Sequence, residues 1–339
     1  MNTNTPRVLG PRMLGEVWPF VDDHHRAGRA VALARLVGRD GPGARPLGAT
    51  MAVAADGSWR GSVSGGCIEG IVLDAAREVL DTGRGRMLTL VPGDQLLPWE
   101  TGPACAGELR VLVTAAPPDP VHAAITAALA HDTALTVSLG LLPPYTWCAT
   151  TDPDPAAAAG PALIEVISGR RRLVLAGATD LAAAIAEFAA AMQFAVVIVD
   201  PRGRHLESGA FPASATLVRG WPAEWLTAHP LRPYDALIAL SHDPRIDDSA
   251  LRTALAGQAE FVAALGSRAT HADRLRRLAA TAGLDRLTGP VGLDLGGSTV
   301  AETALSILGE LVASGNGRSG GPLRNGTRSI HPRPDLASA

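Results

Sequence analysis

The sequence predicts an α/β protein in two parts, an N-terminal α/β domain followed by a doubly wound parallel sheet. Three observations predict it. From residue 172, short apolar runs alternate with amphipathic stretches, as strands buried on both faces do when helices connect them. A turn at Gly177 separates the first such strand from its helix, and Asp200 stands 23 residues on, at the end of the next strand. That layout makes the second part Rossmann-like. Upstream, residues 1–116 alternate short apolar strands with turns.

In the N-terminal part, AVALARLV (30–37), ATMAVAADGSWRG (49–61) and ELRVLVTAA (108–116) read as strands, with Asp56-Gly57 as a hairpin turn. Residues 68–83 place Ile68, Val72, Ala75, Ala76 and Val79 on one helical stripe that Gly83 closes. Residues 117–140 add a helix and a strand. Residues 141–171, Pro-, Asp- and Ala-rich over 141–161, read as a connection between a domain at 1–140 and one at 172–314. In the second domain RLVLAGA (172–178) and AVVIVDPR (195–202) are strands flanking the helix TDLAAAIAEFAAAMQF. DALIALS (235–241) and EFVAALGS (260–267) follow as strands, then helices over 270–282 and 300–314. The tail 315–339 lacks apolar periodicity and is expected to be disordered.

Composition narrows the function. Of 339 residues 47% are hydrophobic and 19% charged, with a net charge of −3, so cores can be buried but no basic excess exists to grip nucleic acid. All 30 basic residues are Arg. Without Lys, P-loop phosphate binding and Schiff-base chemistry are excluded. Three cysteines, Cys67, Cys105 and Cys148, with no CxxC spacing, argue against a disulfide framework or a zinc knuckle. The first residues carry no apolar segment of signal-peptide type, and no run of 18 uncharged apolar residues occurs. A cytoplasmic protein with no membrane partner is expected.

Several places can carry chemistry. Ser64-Gly65-Gly66-Cys67-Ile68-Glu69 opens a helix, where backbone N–H groups suit an anion and the helix start favours the Cys67 thiolate, a soft ligand or nucleophile. The other reading is a tight loop in which Cys67 is a small buried hydrophobe and Glu69 complements the helix dipole. Cys105 can converge on Cys67 only if two loops meet, and Cys148 falls in the connection. At 173–200, Asp200 has the spacing of an acid that takes a ribose hydroxyl, but Thr179 and Ala182 stand where the dinucleotide fingerprint has glycine. His242 in Ser241-His242-Asp243 and Arg268 in Gly266-Ser267-Arg268 follow strands; a catalytic or phosphate-gripping role competes with a polar cap and a surface ion pair. Gly296-Gly297-Ser298-Thr299 precedes the last helix, and Thr299 with Glu302 fits a capping box. The Gly296-Gly297 pair can still leave an anion site there.

Taken together, these blocks resemble the XdhC/CoxI family: GSVSGGCIE (61–69), ACAGELRVLV (104–113), LVLAGA (173–178), VVIVDPR (196–202), FPAS (211–214), SHD (241–243), ALGSR (264–268) and GPVGLDLGGSTVAETALSILGELVA (289–313). They keep the family's order and cover most of residues 28–314. The chain departs from the family pattern at Cys105-Ala106-Gly107, Pro42-Gly43-Ala44-Arg45, Gly177-Ala178-Thr179-Asp180 and Thr299-Val300-Ala301-Glu302. The resemblance implies a non-catalytic chaperone that binds sulfurated molybdenum cofactor and inserts it into a xanthine dehydrogenase-like hydroxylase. It implies Cys67 as the leading cofactor residue and molybdenum ligand, with Gly65, Gly66, Glu69 and Cys105 beside it. Gly177, Asp200, Arg202, Arg268, Gly296 and Gly297 complete the candidate cofactor-binding set. The expected partners are a molybdenum hydroxylase or a cofactor-sulfurating protein, and a second copy of the chain. The competing reading is an NAD(P)-dependent oxidoreductase with His242 or Cys67 near the transferred hydride.

Overall fold

The computed structural model describes residues 7–8 (backbone only), 13–40, 45–66, 68–90, 108–151, 160–167, 169–207 and 211–327. The chain divides into two compact units between Gly169 and Arg170. In chain order the first unit holds β1 (Arg7–Val8), α1 (Met13–Arg26), β2 (Val31–Arg39), β3 (Thr50–Ala54), β4 (Trp59–Gly61) and α2 (Glu69–Thr82). It continues with β5 (Arg86–Leu90), β6 (Leu109–Ala115), α3 (Asp119–Ala130), β7 (Leu135–Gly140), β8 (Trp147–Thr150) and β9 (Ala162–Ile167).

These strands form two sheets. One is antiparallel in the order β4-β3-β2-β6-β5; the other runs β1-β9-β7-β8, with β1 parallel to β9. Apolar side chains alternate along β2, so Ala32, Ala34 and Leu36 pack with the α2 stripe while Val31, Leu33 and Val37 pack with α1, α3 and the second sheet. Arg35 is the exception within that strand. It is fully buried and pairs with the fully buried Glu165 of β9, whose other oxygen accepts from Leu14 N at 3.0 Å. The α2 stripe forms as expected, with Ile68, Val72, Ala75, Ala76 and Val79 all buried and Gly83 at the C-cap.

Two expectations are corrected here. Residues 141–171 are not merely a connection, because β8 and β9 add two strands to the second sheet. The Pro- and Ala-rich composition masked ALIEVI (162–167), a strand with Ala162, Leu163, Ile164, Glu165 and Ile167 buried. Helix α1, with Leu14, Val17, Trp18 and Val21 buried at helical spacing, was hidden by Pro19 inside it.

The second unit, Arg170–Gly326, holds β10 (Arg172–Ala176), α4 (Asp180–Ala191), β11 (Ala195–Asp200), α5 (Gly203–Leu206), β12 (Thr216–Arg219) and α6 (Pro222–Ala228). Then come β13 (Ala236–Ala239), α7 (Pro244–Ala256), β14 (Phe261–Ala264), α8 (Arg268–Arg277), β15 (Leu287–Thr288) and α9 (Val300–Gly315). Every strand pair is parallel, in the order β12-β11-β10-β13-β14-β15. Numbered along the unit that is 3-2-1-4-5-6, the Rossmann order, with its switch point between β10 and β13. Leu173 and Leu175 face α4 and α9, whereas Val174 and Ala176 face α6 and α7. Beyond α9 the expected disorder is corrected for residues 316–327, where Arg318 N bonds Ala313 O and Leu323–Asn325 make a 3₁₀ turn. The rest of that tail lies outside the described residues. Among those described, no helix is long and apolar enough to cross a membrane.

Candidate functional site

The first candidate is the loop that feeds α2. Its centre is the carboxylate of Glu69, the first residue of the helix and only 8% exposed. Oε1 accepts from Ser62 Oγ (2.5 Å) and Ser64 N (3.1 Å). Oε2 accepts from Ser64 Oγ (2.6 Å), Gly66 N (3.0 Å) and Ile68 N (3.1 Å). Burial pushes this carboxyl up, but the two serine hydroxyls and the backbone donors outweigh it and hold it at about 2. Gly65 N donates instead to Ser62 Oγ at 2.7 Å. The loop therefore carries its own anion. Gly66, at φ +119, needs glycine, and nothing lies within 4 Å of where its Cβ would stand, so the chain is unobstructed there. Cys67 and Cys105 lie outside the described residues, while Cys148 is exposed on β8.

The second candidate is the carboxyl edge of the parallel sheet, which collects Gly177, Asp200, Arg202, His242 and Arg268. Gly177, at φ +117, would bring a Cβ to 2.7 Å from Ser241 N, so the β10 and β13 ends approach each other only because it is glycine. Asp200 is fully buried. It accepts from Ala178 N (2.7 Å), Arg202 N (2.8 Å) and the Arg202 guanidinium (2.9 and 2.7 Å). Burial pushes its carboxyl up, yet Arg202 and these N–H donors bring it below the usual range. Thr179 caps α4, its side chain accepting from Ala182 N at 3.1 Å. The groups that would meet a dinucleotide are thus bonded to one another. His242 is exposed, at φ +60, and Arg268 is exposed at the first position of α8.

The third candidate is the approach to α9. The capping box forms, Thr299 Oγ1 accepting from Glu302 N at 3.2 Å and Glu302 Oε2 accepting from Thr299 N at 3.0 Å. Beside it Leu293, Asp294, Gly296, Gly297, Thr303 and Ser306 line a hollow of ≈ 240 Å³. Among the described residues, no group of three or more His, Cys, Asp or Glu is placed to hold a metal ion.

Profiles of known families match both parts of the chain. The XdhC Rossmann domain matches residues 173–311, and the XdhC and CoxI family matches residues 24–91, which include the Glu69 loop. The chain belongs to the XdhC and CoxI family. Relatives include a probable xanthine dehydrogenase subunit of Bacillus subtilis (strain 168), 25% identical over 320 residues, 83% of this chain and 92% of that one. The molybdenum cofactor insertion chaperone PaoD of Escherichia coli (strain K12) is 37% identical over 91 residues, 24% of this chain and 28% of PaoD. In fold, the chain is similar to a crystal structure of a xanthine dehydrogenase from Bacillus halodurans, with a TM-score of 0.77 over 89% of this chain and 96% of that one at 21% identity.

Sequence reasoning singled out the Ser241 loop of this XdhC-family chain but missed the buried arginine that faces it. Arg274 of α8 is 2% exposed and lies 3.7 Å from Asp247 of α7, also 2% exposed. Asp247 Oδ1 accepts from Ser241 Oγ (2.6 Å) and Ser241 N (3.2 Å), and burial raises its carboxyl despite those bonds. The signal that could have found it is compositional. RATHADRLRR offers one large aliphatic residue, Leu275, which is itself exposed, so the helix buries a polar side chain against α7 instead.

Proposed function

We propose that this XdhC-family chain is a molybdenum-cofactor-binding chaperone that assists maturation of, or cofactor insertion into, a xanthine dehydrogenase-type molybdenum hydroxylase. The observation that carries the reading is the Glu69 loop. One carboxylate gathers the N–H groups of Ser64, Gly66 and Ile68, and so holds the chain on both sides of position 67. The names of the Bacillus subtilis relative and of PaoD support the same role.

The donor set suits the metal end of the cofactor, since Cys67 supplies a soft sulfur ligand. It does not suit the pterin phosphate at this helix start. The N–H groups of Ser64, Gly65, Gly66 and Ile68 are already donated, and the Glu69 charge repels a second anion. In this reading Cys67 binds, Gly65 and Gly66 give access, and Glu69 positions the loop without touching the cofactor. The redox chemistry belongs to the cofactor in the hydroxylase that receives it. The oxidoreductase reading is weaker, because Asp200 and Thr179 are bonded within the protein.

The test is cofactor retention by the full chain purified from a molybdate-fed host, read as molybdenum content and pterin fluorescence. Cys67→Ser keeps the size but exchanges a soft donor for a hard one, so retention should fall sharply while Cys148→Ser retains cofactor like the parent. Equal retention by Cys67→Ser and the parent refutes the thiol's role.

A further inference from the structure

At the carboxyl end of β14 the chain turns through Gly266 and Ser267 into α8, a ten-residue helix. Arg274 folds back toward the helix head, as long side chains on helices do, and its Nη2 donates to Leu265 O at 3.0 Å. Its Nη1 lies 3.7 Å from where a Cβ on Gly266 would stand. Nε and Nη1 have no acceptor, although the side chain is 2% exposed. Folded proteins rarely leave such donors unmet, and least of all on a charged group. Asp247 offers little relief, being 3.7 Å away with one oxygen given to Ser241. His271, one turn nearer the helix head, has a buried and unpartnered Nδ1 that lies against Gly289. Burial, then the Arg274 charge, hold that imidazole below its ordinary value.

The surroundings add positive potential. In the first turn of α8 the Ser267 side chain accepts from Thr270 N at 3.1 Å, which leaves the N–H groups of Arg268 and Ala269 with no acceptor in the helix, at the positive end of its dipole. Arg268 stands exposed in that turn. At the head of α4, where Rossmann sheets usually hold phosphate, the Asp200 carboxylate takes Ala178 N and sets a negative charge there instead.

We infer that the head of α8 is an oxyanion site that takes a phosphate group, with Arg274 as the buried counter-charge and Arg268 as the outer one. A phosphate brings two negative charges and several acceptor oxygens, matching two guanidinium groups and a helix N-terminus. The site goes beyond the chaperone reading and involves no residue of the Cys67 loop.

Inorganic phosphate titrated into the full chain tests it, with the unfolding temperature and the phosphorus-31 linewidth as readouts. Saturable stabilisation is expected from phosphate and not from acetate at equal ionic strength. Arg274→Gln should weaken binding by about tenfold or more, Arg268→Gln several-fold, and Cys67→Ser not at all. Tighter binding of ribose 5-phosphate than of inorganic phosphate assigns the group to a larger ligand; equal binding assigns it to the free ion. No saturable response in the parent, an equal response to acetate, or parent-like affinity in Arg274→Gln overturns the inference. If circular dichroism shows that Arg274→Gln does not fold, parent-like affinity in Arg268→Gln overturns it instead.

Discussion

Replacing Glu69 by Gln removes one charge at constant shape, and five hydrogen-bond donors show what that does. Gln has one acceptor oxygen where Glu has two. If the amide nitrogen takes the Oε1 place, Ser62 can turn its hydroxyl, but Ser64 N loses its acceptor. In the Oε2 place it would strand Gly66 N, while Ile68 N would keep Ser64 Oγ at 3.3 Å. Either arrangement leaves one backbone N–H of the loop unmet, at about 1–3 kcal/mol. An independent route gives a similar size. The carboxyl lies at about 2 in the fold against an ordinary 4.5, which corresponds to roughly 3 kcal/mol favouring the charged form. The sign follows from the lowered value: this stabilisation is fully present above pH 4.5 and is lost as pH falls towards 2. Chemical denaturation of the parent and Glu69→Gln from neutral pH down to the acid limit of folding measures it. A difference of about 3 kcal/mol at neutral pH that shrinks on acidification is expected. A difference below about 1 kcal/mol, or one that does not change with pH, refutes the view that Glu69 organises the loop. Cofactor retention should fall in the same variant while Cys67 is intact, since the loop around position 67 loses its anchor.

Other expectations follow from the second unit. Gly177→Ala puts a Cβ 2.7 Å from Ser241 N at φ +117, so denaturation should show a loss of about 2–5 kcal/mol; a loss under about 1 kcal/mol would mean the two strand ends separate freely. Calorimetric titration with NAD, NADH, NADP and NADPH should find binding no tighter than about millimolar, roughly 4 kcal/mol, because Asp200 and Thr179 are engaged within the protein. Micromolar affinity would restore the oxidoreductase reading.

What the sequence determined by itself is what neighbouring residues decide among themselves. Alternation of short apolar runs with helical stripes from residue 172 specified a parallel sheet, because strands covered on both faces have no polar side to show. The α2 stripe, the Asp56-Gly57 turn and the Thr299–Glu302 capping box were legible for the same reason, each depending on spacings of one to four residues. Glu69 was legible as a dipole partner, though not as the hub of a five-donor network.

Tertiary structure alone decided where polar groups were buried and with whom. Glu165 meets Arg35 across 130 residues of chain, which turns a segment composed like a linker into an inner strand. Asp200 has the position of a ribose-binding acid, yet packing brings Ala178 N and Arg202 onto its oxygens and leaves none free. In α8 four arginines read alike in sequence, and only the packing of that helix selects Arg274 for burial. A charged side chain's role depends on its desolvation and on which partners the fold delivers, and no local pattern encodes either.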